Sequence, residues 1–165
     1  MKTVIIIRHA KSSWDDHTIT DFERPLNERG KHDAPKMAER LIEKQHKIDA
    51  FISSPARRAK KTAAIFAKAY GLEKEDIVLK DELYHASENV FYDIISQLPE
   101  KLSTIAVFSH NPGLTDFVNT LTGEIRVDNV PTSGMFAVSC AGNWQSFKDA
   151  PKKFLFFDYP KSGLD

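Results

Sequence analysis

The run Val4-Ile5-Ile6-Ile7-Arg8-His9-Ala10-Lys11-Ser12 sets the reading of this chain. Four consecutive β-branched residues mark a strand buried on both faces, as in a parallel sheet covered by helices. The run breaks off on an arginine and a histidine. In open α/β sheets, ligands sit beyond the carboxyl ends of the strands, so Arg8 and His9 arrive where chemistry is done. A polar edge where a buried strand merely surfaces would look the same in isolation. The segments downstream separate the two readings.

From there, strand and helix alternate. Ser12 opens a long polar loop holding Trp14, Asp15, Asp16 and Asp21. Ala34, Met37, Ala38, Leu41 and Ile42 then recur at helical spacing, with Asn27 or Asp33 as the cap. Pro35 suits a first turn, which predicts a main helix starting near Asp33 after a kinked preamble. Residues 48–53 read as a second strand and Ser54-Pro55 as an N-cap with a first-turn proline. Ala59, Ala63, Phe66, Ala67 and Tyr70 form the buried stripe of the next helix, which stops at Gly71. Residues 77–80 read as a short strand, and Ser87 caps a helix built on Val90, Phe91, Ile94, Ile95 and Leu98. Residues 104–109 are another buried strand, again ending on a histidine, His110. Asn111-Pro112 repeats the cap-and-proline signal before a helix carrying Leu114, Phe117, Val118 and Leu121, with Gly123 as its stop. Residues 134–140 and 153–158 read as two closing strands, joined by few residues with a turn at Gly142-Asn143, that add an antiparallel element. This alternation calls for an α/β fold of three layers, a mostly parallel sheet flanked by helices, in one domain over residues 1–165.

Composition narrows the function. The 165 residues are 41% apolar and 28% charged, ordinary for a globular protein, and the formal net charge is +0. That balance argues against nucleic-acid binding through bulk charge, so an anion site must be built locally. Cys140 is the one cysteine, which excludes an intrachain disulfide. The N-terminal apolar run meets a charge after four residues, too soon for a signal or membrane segment; no membrane association and a cytoplasmic location are expected.

Three strand-to-helix junctions carry groups of one chemical kind: Arg8-His9, Arg57-Arg58 and His110. Two of them precede well-signalled helix N-termini, whose free N–H groups and dipole favour an anion. Strand ends of a parallel sheet point the same way, so the junctions can converge on one pocket. Two arginine forks and two histidines suit a phosphoryl group, whose oxygens arginine binds bidentately. An arginine pair is more often a solvated first turn, and helical geometry turns one of Arg57 and Arg58 outward. His9, His85 and His110 lack a short metal-ligand spacing and stand near arginines, so no metal is expected. His17, His32 and His46 read as surface residues. Neither a G-x-G-x-x-G loop nor a Walker lysine is present.

At this point the residues resemble a known family. Arg8-His9-Ala10 after an N-terminal strand is similar to the Arg-His-Gly signature of the histidine phosphatase superfamily, which includes the phosphoglycerate mutases. Ser54-Pro55-Ala56-Arg57-Arg58-Ala59-Lys60-Lys61-Thr62 resembles that family's Ser-Pro-x-x-Arg-Ala-x-x-Thr helix start, which selects Arg58 over Arg57. Ser109-His110-Asn111-Pro112 resembles its second-histidine segment. Short length and Asp21-Phe22-Glu23-Arg24-Pro25-Leu26 are similar to the small phosphohistidine phosphatases of the SixA type. The resemblance spans roughly residues 2–140.

It implies that His9 is the nucleophile and carries a phosphohistidine intermediate that water hydrolyses. Arg8, Arg58 and His110 would be the other catalytic groups and would bind the phosphoryl oxygens, with Ser12 as a further substrate-binding residue. No cofactor is implied. Two positions depart from the pattern. Ala10 replaces a glycine, which requires a negative φ there. The glutamate acid of many members is missing from the segment around Leu83-Tyr84-His85-Ala86, where His85 follows Glu82; His85 and Asp15 are the candidate proton donors. An alkoxide leaving group needs such a donor whereas an imidazole does not, so the expected substrate is a phosphohistidine-containing protein. The alternatives are a small phosphorylated substrate, handled by a phosphatase or mutase, and a non-catalytic phosphate-binding module.

Overall fold

A computed structural model describes residues 1–161; positions 162–165 of the expected domain lie outside the described residues. Among the described residues six strands form one sheet: β1 (Lys2–Arg8), β2 (Ala50–Ser53), β3 (Val78–Leu79), β4 (Thr104–Ser109), β5 (Met135–Cys140) and β6 (Lys153–Asp158), in the order β3-β2-β4-β1-β5-β6. The first four in that order run parallel. β5 pairs antiparallel with both β1 and β6. The helices are α1 (Glu28–Lys44), α2 (Arg57–Ala69), α3 (Glu88–Ser96) and α4 (Gly113–Leu121).

The period-2 alternation of β1 divides the core. Ile5 and Ile7 face α1 and α2, packing with Met37, Leu41, Phe66 and Phe108. Val4 and Ile6 face α3 and α4, packing with Phe91, Leu114, Phe117 and Phe136. All four β1 residues are fully buried, and each side chain so removed from water contributes about 1.5–3 kcal/mol. This is the expected three-layer α/β arrangement, with β1 anchored from both sides.

Three local expectations are corrected. α1 starts at Glu28, where the Asn27 side chain accepts the Gly30 N–H, and it runs on through Pro35 with no break at Asp33. Pro35 is exposed, so the backbone bond it cannot donate is lost on the wet side of the helix, where solvent serves the freed carbonyl. Ser54 does not cap α2, which begins three residues later behind Ala56. The β5–β6 connection is no tight turn: residues 141–152 fold back and bury Trp144 and Phe147.

Candidate active site

The strand order makes the carboxyl ends of β2, β4 and β1 contiguous. Arg8 pairs in register with Ser109, so His9 and His110 leave adjacent strands at the same level. Neighbouring strands lie about 4.8 Å apart, and the two imidazole centroids are accordingly 5.1 Å apart. The third strand end turns through Ser54 into α2, which carries Arg58 in its first turn. Thr62, one turn further on, accepts the Ala10 N–H at 2.9 Å and donates to the Arg58 carbonyl at 2.7 Å. That hydroxyl fastens the end of β1 to α2. Ala10 is buried and is not among the residues with positive φ, so the alanine fits without strain.

The partners of His9 fix its tautomer. Nδ1 lies 2.8 Å from the Ala10 carbonyl oxygen, which can only accept, so Nδ1 carries the proton. Nε2 faces the Arg58 Nε–H at 3.4 Å, a group that can only donate, so Nε2 is unprotonated and keeps its lone pair. Burial pushes the His9 imidazole down to about 3; the Ala10 hydrogen bond opposes this, and the Arg58, Arg8 and Arg24 charges reinforce it. His110 is pushed down to about 2 by burial and by the facing His9, Arg58 and His85. Both rings are neutral at pH 7. His110 Nε2 sits 2.7 Å from the Ser54 hydroxyl, which also accepts the Ala56 N–H.

Arg8 donates to the Val130 carbonyl at 3.0 Å, while its Nε and His110 Nδ1 are buried without a hydrogen-bond partner among the described residues. A buried unpartnered donor on an arginine is a feature of sites built for an anion.

Opposite the histidines stands Asp21, in the short 3-10 turn Asp21–Glu23. Its carboxylate accepts from Arg58 at 3.0 Å, Arg24 at 3.1 Å and the Tyr84 hydroxyl at 2.6 Å, and its carbonyl accepts from Arg58 at 2.7 Å. Burial pushes this carboxyl up, but the Tyr84 hydrogen bond and the two arginines outweigh it and hold the group well below the usual carboxylate range. Arg24 in turn donates to the Ser12 hydroxyl at 2.5 Å and lies 3.5 Å under the Trp14 ring. The resulting cleft encloses about 390 Å³.

Arg8, His9, Ser12, Arg58, His85 and His110 all line this cleft. Ser12 is buried and engaged by Arg24; His85 is exposed, holds a positive φ of 60° and lies against Tyr84 with the two rings tilted by 39°. Asp15 does not reach the cleft: it is exposed and outside the lining. Glu82 borders a different hollow, under β3 and α3. Arg57 points outward, as helical geometry requires. Sequence reasoning missed the roles of Asp21, Tyr84 and Ser54. An Asp–Arg pair three residues apart, in the loop that follows β1, was a readable signal for Asp21, whereas nothing in the sequence marks Tyr84. Among the described residues, no group of three or more His, Cys, Asp or Glu is placed to hold a metal ion.

Comparison with known proteins identifies the family and the fold. The family model of the histidine phosphatase superfamily (branch 1) matches residues 4–104. An uncharacterized protein of Mycobacterium tuberculosis (strain ATCC 25618 / H37Rv) is 28% identical over 167 residues, covering 94% of this chain and 100% of the relative. Among solved structures, SixA from Agrobacterium tumefaciens superposes with a TM-score of 0.81 at 26% identity, covering 96% of this chain and 98% of that one. A protein histidine phosphatase SixA complexed with tungstate shares the fold, with a TM-score of 0.80 at 22% identity over 96% of this chain and 97% of that one.

Proposed function

The chain belongs to the histidine phosphatase superfamily, and on that premise we propose that it removes the phosphoryl group from phosphohistidine in a partner protein. His9 Nε2, unprotonated, attacks phosphorus in line. With the other ring nitrogen of the substrate histidine already protonated, its P–N bond breaks and the ring leaves as neutral imidazole, keeping the bonding electron pair on the released nitrogen. Water then attacks the phosphoryl group on His9, the P–Nε2 bond breaks, and inorganic phosphate and neutral His9 are released. Arg8 and Arg58 oppose the charge that spreads over the equatorial oxygens, and His110, oriented by Ser54, binds an oxygen beside them. Ser12 and Arg24 line the cleft as further polar contacts.

The observation that carries the substrate class is the state of Asp21. Among the described residues it is the one carboxylate lining the cleft, and it is held ionised, while both buried histidines are neutral. None of these three groups is an acid able to protonate an alkoxide near neutral pH. A phosphate ester therefore lacks a strong proton donor here, whereas an imidazole leaving group does not require one. The exposed His85 at the rim is the remaining candidate donor.

Mixing the protein with a labelled phosphohistidine peptide and quenching in base should trap an acid-labile phosphoenzyme. In His9→Ala the trap should be empty and turnover should fall by about 10³-fold or more. Rapid hydrolysis of phosphoglycerate or sugar phosphates with no action on the phosphohistidine peptide would replace this reading with that of an ester phosphatase. Phosphate binding with no trapped intermediate would make the chain a binding module.

A further inference from the structure

A groove of about 740 Å³, larger than the catalytic cleft, lies beside it, floored by Pro25, Leu26, Pro55, Ala64 and Leu79. Its walls carry Lys31, Arg57, Lys60, Lys61 and Lys74, all exposed, against the carboxylates Glu23 and Glu75. In a chain of formal net charge +0 this is a local excess of cations. Among the described residues, no carboxylate forms an ion pair with Arg57, Lys60, Lys61 or Lys74; Lys31 reaches Glu28 at 3.5 Å.

Two segments wall off the groove from the cleft, and each serves both sides. On α2, Arg58 points into the cleft and Arg57 into the groove. In the 21–25 segment, Asp21 and Arg24 line the cleft while Glu23 and Pro25 line the groove. Arg57 donates to the Glu23 carbonyl at 3.4 Å and stitches the ridge together. A bound polypeptide can therefore cross the ridge with a phosphorylated side chain in one hollow and a neighbouring segment in the other.

We propose that this groove docks an acidic segment of the phosphohistidine protein and so contributes to substrate choice outside the catalytic cleft. The inference rests on the phosphohistidine reading and names the chemistry of the partner. Carboxylates of an extended segment would meet Lys60, Lys61 and Lys74, while its apolar side chains would lie on Pro25, Pro55 and Leu79, the last of these 45% exposed. Exposed ion pairs are individually weak and screened by salt, so a handful gives about a tenfold gain and mainly steers encounter.

The test uses two synthetic peptides with one phosphohistidine core, one extended on both sides by glutamates and the other by glutamines. The glutamate peptide should show a kcat/KM about tenfold higher at low salt. That advantage should vanish near 1 M salt, where the screening length falls to about 3 Å. It should also vanish in the Lys60→Glu/Lys61→Glu variant, which should hydrolyse the glutamine peptide at the wild-type rate. Equal kcat/KM for the two peptides, or an advantage that survives the charge reversal, overturns the docking groove. If neither peptide is hydrolysed the phosphohistidine reading fails, and anisotropy of a labelled, unphosphorylated glutamate peptide then decides the groove alone. Wild-type binding lost in the double variant supports it. No binding, or displacement of the peptide by inorganic polyphosphate at far lower concentration, overturns it.

Discussion

Under the proposed function, His9 and His110 show what a phosphoryl site demands of a single residue. An imidazole that is to attack phosphorus must be unprotonated, yet His9 lies among cations that would hold an anion, and burial with those same cations keeps it neutral. This arrangement makes folding depend on pH. The ordinary histidine value is about 6.5, while the folded protein holds His9 at about 3 and His110 at about 2. Between those limits the unfolded chain takes up protons that the folded one refuses. Stability is therefore full above pH 6.5 and falls as pH drops toward 3, by at most about 1.4 kcal/mol per pH unit for each histidine. Urea midpoints measured at intervals from pH 7 to pH 4.5 should fall throughout that range. In His110→Gln the descent should be about half as steep. Parallel descents in the two proteins would show that His110 takes up its proton as readily in the fold as in the unfolded chain. Asp21, by contrast, is held low, so its contribution is present above the ordinary carboxylate value and is lost only at more acid pH.

At the scale of elements, the site is set by where helices press on the strand-end loops. A Cβ on Gly30, in the first turn of α1, would come within 2.1 Å of the Lys11 carbonyl oxygen, which itself accepts the Asn27 N–H. Lys11 follows His9 and Ala10 directly, so α1 cannot move without shifting the loop that carries His9. Gly30→Ala should cost about 1–3 kcal/mol and lower kcat/KM, because the backbone and not a flexible side chain must yield. Gly123→Ala, where a new Cβ meets nothing within 4 Å, is the matched control and should leave both unchanged. Denaturation and peptide turnover of the two variants check this; loss of stability in Gly30→Ala with full activity would show that the loop moves freely. The same local detail explains what the sequence could and could not convey. The bounds of β4 and β6 followed from their apolar runs, and the histidine at the end of β4 from its parallel with the end of β1. Ser54 was legible as a residue at a helix start but not as the partner of His110, because cap signals specify a position and not what lies across the sheet. Asp21 sits in a three-residue 3-10 turn that has no periodicity to read. Its partner Tyr84 is 63 residues away.

For the whole molecule, the sheet and the site fail separately. Phe108, on β4, stacks on Phe51 and meets Phe66 edge-on at 5.3 Å in the core beneath α2. Removing a ring so placed costs about 3–5 kcal/mol. Arg58 is equally buried, yet its partners do not depend on it alone: Asp21 keeps Arg24 and Tyr84, and α2 keeps the Thr62 bridge to Ala10. Arg58→Ala should accordingly lose no more than about 2 kcal/mol of stability, while turnover falls by about 10²-fold or more through the lost charge on the transferring group. Phe108→Ala should show the opposite pattern, a large drop in Tm with the folded fraction retaining most of its activity. Calorimetry and single-turnover kinetics on the pair distinguish the outcomes. Equal Tm losses would make Arg58 a structural residue, and the phosphoryl site would then need another cation between His9 and Asp21. The hydrogen bonds speak against that: among the described residues Arg58 is the cation that reaches both His9 and Asp21, while Arg24 is held by Asp21 and Ser12.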